Sequence, residues 1–242
     1  QISNNGLSME DISRGVRSFT IGTAVSRVMG LLREMVFAHL FGASQSAAAD
    51  AFNVAFRIPN MLRDLFAETS LSAAFIPVLT AERAKSKEAQ NRLASNIFNV
   101  LCIVTGLVSV AGLLASPTLA KWIAFGFGKV PGKVALTAQL TAILFPFLLV
   151  ISLGAWAMSY LNTEKSFFVP SVAPALFNLF SILVPVLTFG WYVAHGKEPI
   201  FGMAIGVLVG GLMQFLVQMP LVFRKGFHYS FYVSFRDPEF RR

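Results

Sequence analysis

Between Ser26 and Pro77 the chain is apolar enough to enter a bilayer, yet it carries Arg27, Arg33, Glu34, Asp50, Arg57, Arg63, Asp64 and Glu68. An ionisable group at membrane depth costs about 2.5–3.5 kcal/mol on insertion scales. A chain keeps so many only if they face a wet cavity, pair with one another, or bind something charged. The expectation is a polar pathway through a membrane protein, and the excess of arginine points to an anionic passenger.

Composition agrees. Charged residues make up 13% of the chain, against about 25% in soluble domains. Mean hydropathy is +0.64. A net charge of +8 fits cytoplasmic loops and contact with anionic membrane lipids better than nucleic acid. Cys102 stands alone in an apolar run, where a small buried side chain is expected; it supports neither a disulfide framework nor a thiolate metal site. The first dozen residues are polar, and the first apolar run is too long and interrupted for a signal peptide, so no cleavable leader is expected.

A helix needs about 20 mostly apolar residues to cross a bilayer. Six segments satisfy this: Ser18 to Phe41, Ala49 to Leu79, Ala94 to Ala115 (with a continuation to Phe125 allowed), Val134 to Leu161, Val169 to Val193, and Ile200 to Phe223. The predicted fold is an all-α polytopic membrane protein with six transmembrane helices over residues 18–223. Residues 1–17 and 224–242 are predicted to be cytoplasmic. With that orientation twelve basic residues lie inside. Four lie outside, Lys121, Lys129, Lys133 and Lys197, which favours both termini inside. Pro146, Pro170, Pro174 and Pro185 are expected to bend helices, either for packing or as hinges. Gly202, Gly206, Gly210 and Gly211 read as close helix packing. Trp191 and Tyr192, and the aromatics from Tyr229 to Phe235, read as interfacial anchors.

In the second segment Asp50, Asn53, Arg57, Asn60, Asp64 and Glu68 follow helical spacing and form one stripe. Asp64 and Glu68 repel unless an arginine or a shared proton intervenes. Arg63 sits beside that stripe. In the first segment Arg27 and Arg33 are about 240° apart on an ideal helix, so they share a face only if the helix distorts, for which Gly30 offers a place. Glu34 shares the face of Arg27 and is a candidate partner for it or for an arginine on a neighbouring helix. Arginine stays charged and presents a donor fork that fits phosphate oxygens. These arginines could hold a diphosphate, or pair with the acids to fix packing. A catalytic set is not evident: His39, His195 and His228 are scattered and no metal-ligand spacing occurs.

The blocks SRVMGLLRE (26–34), FGASQSAAADAFNVAFRIPNMLRDLFAE (41–68) and SAAFIPVL (72–79) resemble the MurJ (MviN) family of lipid II flippases, in the MOP transporter superfamily. FPFLLVISL (145–153), LNTEKSFFVPSVAPALFN (161–178) and FRDPEFRR (235–242) extend the resemblance over nearly the whole chain. It implies a lobe of a two-lobed transporter of the bacterial inner membrane. Such a transporter moves lipid II, an undecaprenyl-diphosphate-linked muropeptide, between leaflets by alternating access. The family's cavity arginines fall on Arg27, Arg33 and Arg63, its functional acids on Asp50 and Glu68, and Arg57 stands where a basic residue is usual. Asn60 joins the expected substrate-binding set; Glu34 and Asp64 join the expected charge-balancing set. Asp64 departs from a pattern that often has a second arginine there. FRDPEFRR resembles the segment before a seventh helix, so the chain is expected to be an N-terminal lobe whose partner is its own C-terminal lobe. No cofactor is expected, and no ion coupling is assigned. The alternatives are another MOP exporter carrying a lipid-linked oligosaccharide or a drug, a membrane scaffold for cell-wall enzymes, and, least favoured, a lipid-phosphate enzyme.

Overall fold

The computed structural model describes residues 9–42, 46–63, 70–124 and 126–234. Among these, nine α-helices follow in order: α1 Met9–Phe41, α2 Ala47–Arg63, α3 Ser70–Lys85, α4 Lys87–Ile123, α5 Lys133–Leu144, α6 Phe147–Thr163, α7 Phe168–Ala194, α8 Ile200–Leu216 and α9 Met219–Arg224. A 3-10 turn, Phe127–Lys129, lies between α4 and α5.

Local chemistry sets several boundaries. The Ser46 hydroxyl accepts the Ala49 N–H at 3.0 Å and caps α2, and Ser86 does the same for Ala89 at the start of α4. Pro146 has no N–H to donate, and the predicted fourth segment divides there into α5 and α6. α7 by contrast runs unbroken through Pro174 and Pro185. Nor does Gly30 interrupt α1, so the distortion that would bring Arg27 and Arg33 onto one face is absent.

The six predicted spans are supported only in part. Four helical units among the described residues are long and apolar enough to cross a membrane: Lys87–Ile123, Lys133–Thr163, Phe168–Ala194 and Ile200–Arg224. α1 has the length but carries Arg27, Arg33 and Glu34 within its apolar part. The predicted second segment is two helices of 17 and 16 residues, α2 and α3, and residues 64–69 between them, Asp64 and Glu68 included, lie outside the described residues. The fold is thus an all-α polytopic membrane fold. α4 is longer than predicted, 37 residues, or about 55 Å at 1.5 Å per residue.

Packing follows from small residues. A Cβ on Gly210 would lie 2.5 Å from the Phe177 carbonyl oxygen, and one on Gly202 2.5 Å from the Thr188 hydroxyl. Those glycines let α8 lie directly on α7, as their spacing suggests. α1 runs alongside α7 in the same direction: Asn178 donates to the Ser26 carbonyl at 3.1 Å, and Gly22 sits against Ser171. One core gathers Phe41, Phe52, Leu144, Phe147, Phe177 and Met203 from α1, α2 and α5 to α8. The other surrounds Trp156, whose indole N–H donates to the Ala94 carbonyl at 3.0 Å.

Candidate functional site

α1, α2 and α8 enclose a cavity of about 110 Å³ lined by Arg33, Glu34, Phe37, Phe52, Asn53, Phe56, Met203 and Val207. Its polar members come from the charged part of α1 and from the stripe on α2. Arg33 is half-buried, with 23% of its side chain exposed, and donates to Glu34 at 2.6 Å. Its guanidinium also lies 5.6 Å from the centre of the Phe177 ring, a distance at which a cation is attracted by the ring face. The guanidinium is held at the edge of the apolar core, at a cavity with room for water.

The other predicted residues separate around this point. Arg27 is exposed and does not line the cavity. The partner taken by Glu34 is Arg33, its neighbour in sequence, and not Arg27. On α2, Asn53 reaches the cavity, Arg57 is exposed, and Asn60 and Arg63 are half-buried one and two turns further on. Among the described residues Asp50 pairs with no arginine. It accepts from Lys133, in the first turn of α5, at 2.7 Å. Lys133 is the more buried of the two, and its ammonium lies 3.8 Å from the centre of the Phe127 ring.

Two polar assemblies have no counterpart in the motif reading. At the end of the bundle opposite Asp50, Glu164 follows α6 and receives Lys87 at 2.8 Å and Gln90 at 2.9 Å, with Arg83 on its other oxygen. Burial pushes this carboxyl up. The hydrogen bonds from Lys87, Gln90 and Arg83, with the Lys87 charge, outweigh burial and hold it below the usual carboxylate range.

The second assembly is a row of amides on α4. Asn91 donates to the Gly226 carbonyl at 2.9 Å. Asn96 donates to the Ser234 carbonyl at 2.9 Å and accepts the Ser234 N–H at 2.7 Å. Asn99 donates to the Tyr232 carbonyl at 3.0 Å and accepts the Tyr229 hydroxyl at 2.8 Å. Residues 227–234 form no helix or strand, and these side chains supply partners that their backbone would otherwise lack. The available signal was the cluster Gln90, Asn91, Ser95, Asn96 and Asn99 at the head of an otherwise apolar helix.

Membrane-length helices packed through glycine, with a half-buried arginine at a half-open cavity of mixed polar and apolar lining, define a multi-pass α-helical membrane protein. The family model for lipid II flippase MurJ matches residues 37–242, and the chain belongs to that family. It is 40% identical over 199 residues to the lipid II flippase MurJ of Burkholderia cenocepacia, covering 82% of this chain and 37% of that protein. It is 38% identical over 213 residues to a probable lipid II flippase MurJ of Vibrio cholerae, covering 84% of this chain and 39% of that protein. A solved structure of lipid II flippase MurJ in an inward closed conformation superposes with a TM-score of 0.69 at 27% identity, over 89% of this chain and 43% of that one. A MOP superfamily transporter from Pyrococcus furiosus shares the fold at a TM-score of 0.64 and 15% identity, over 92% of this chain and 47% of that one. The chain therefore spans about two fifths of the length of the relatives it matches.

Proposed function

We propose that the chain is the N-terminal, cavity-forming lobe of a lipid II flippase, working by alternating access in the bacterial inner membrane. The observation that carries this reading is Arg33: a guanidinium held half-buried beside Glu34 and Asn53 at a cavity otherwise walled by apolar side chains, in a member of the MurJ family. A cavity of about 110 Å³ is far smaller than a disaccharide-peptide headgroup. In this reading it is one wall of a larger chamber, completed by a C-terminal lobe.

Arg33 meets the diphosphate there; Asn60 and Arg63, further along α2, extend the polar side of the chamber, while Arg27 and Arg57, exposed beyond the small cavity, draw the anion toward it. Glu34 occupies the Arg33 fork when substrate is absent and yields it when phosphate arrives. Asp50 serves with Lys133 at the outer end of the lobe; Asp64 and Glu68 balance the remaining arginines. In this reading α1 and the α2–α3 pair complete a six-span lobe, and the basic excess supports a cytoplasmic position for both ends. An excess of arginine argues against an exporter of cationic drugs.

The test is lipid II binding by native mass spectrometry to the full-length protein, comparing wild type with Arg27→Ala and Arg33→Ala. A polyprenyl lipid lacking the diphosphate is the control. Selective binding lost in both variants, with thermal midpoints unchanged, supports the reading. Equal binding in all forms overturns the assignment of diphosphate to these arginines.

A further inference from the structure

From Pro117 to Ala138 the chain has three lysines and no acidic residue. Lys133 is accounted for by Asp50. Lys121 and Lys129 are both exposed, and neither makes an ion pair with any described residue.

Beside them lies a groove of about 570 Å³ between the last turns of α4 and the first turns of α5. Its walls are apolar: Pro117, Val130, Pro131, Val134, Ala135 and Ala138. Lys121 is part of its lining, and Lys129 stands in the chain between two lining residues, Gly128 and Val130. The groove sits where the α4 span ends. Trp122, 81% exposed, marks the interface there.

An apolar slot at the membrane rim, with Lys121 in its lining and Lys129 in the adjoining turn, neither ion-paired with a described residue, is complementary to an amphiphile with a negative head. We propose that this groove is a docking site for an anionic phospholipid. One acyl chain lies along Val134, Ala135 and Ala138, and the phosphate sits between Lys121 and Lys129. A lipid with no net charge leaves a lysine unmatched and binds less well. The site is separate from the Arg33 cavity, so it stands whether or not the transport reading does.

The experiment titrates the purified protein with phosphatidylglycerol or phosphatidylcholine and counts retained lipid by native mass spectrometry. Wild type should retain phosphatidylglycerol preferentially. Lys121→Gln with Lys129→Gln should weaken that retention by about fivefold per lysine, the scale of one basic residue near an anionic surface. Ala135→Phe fills the groove without changing charge and should weaken it as well. Lys197→Gln should leave it unchanged, because that lysine stacks on Trp191 at 5.3 Å, away from the groove. Each variant is scored only with a helical spectrum and thermal midpoint near wild type; Lys121→Gln alone replaces the double variant if that fails. Equal retention of the two lipids, or no loss in the lysine variant, overturns the proposal. A loss in the lysine variant with none in Ala135→Phe also overturns it, since the groove then takes no part.

Discussion

Lys133 donates to Asp50 across 83 residues of sequence, and the two are unequally buried: 8% of the lysine side chain is exposed against 36% of the aspartate. The pair joins the starts of α5 and α2. Its inequality predicts which partner matters more. Asp50→Asn strands an ammonium in a poorly hydrated place and should cost about 2–3 kcal/mol. Lys133→Met removes the buried charge and leaves a carboxylate that water can reach, so its cost should be smaller. Thermal midpoints in one detergent decide the matter. An equal or reversed order would show that the ammonium is not the strained partner.

Glu164 predicts a pH dependence. Its folded carboxyl titrates below the ordinary value because three donors hold the charged form. A group with a depressed folded pKa contributes stability above its unfolded pKa, about 4.3 for glutamate. That contribution is lost as pH falls through the lower, folded value. The midpoint of wild type should therefore drop more steeply than that of Glu164→Gln on acidification below about pH 4. At neutral pH the variant should already be less stable by about 1–3 kcal/mol, because Lys87 and Arg83 lose their charged acceptor. Parallel pH profiles for the two proteins would remove Glu164 from the account.

Two glycines make a matched test of the α7–α8 contact. In Gly210→Ala the new methyl meets the Phe177 carbonyl at 2.5 Å, closer than real carbon–oxygen contacts allow. The helices must move apart, at a cost of about 1–3 kcal/mol. At Gly190, also helical, a new Cβ has nothing within 4 Å. Gly190→Ala should be neutral, or stabilise by up to about 1 kcal/mol through helix propensity. Similar midpoints for both variants would refute close packing as the role of Gly210.

What was legible in the sequence is what depends on near neighbours. The apolar runs became helices, the glycines of α8 became its contact with α7, and Pro146 became a helix break. The stripe on α2 brought Asn53 to the cavity. What was not legible depends on residues far apart. Nothing in the run KVPGKV marks Lys133 as buried, since its partner Asp50 lies on another helix. Glu164 follows LNT in what reads as a loop, and its donors are some 75 residues earlier. The asparagines of α4 look like a solvated helix start until residues 227–234 are laid against them.

The bonds from α4 to that final stretch join residues between 130 and 140 positions apart. Closing so long a loop is costly in an open chain. It becomes cheap only after α5 to α9 have folded the intervening chain back on itself. Residues 227–234 are therefore a seal set on a finished bundle. Because Asn91, Asn96 and Asn99 of α4 hold the backbone between Gly226 and Ser234, any rotation of that helix must carry this stretch with it or break those bonds.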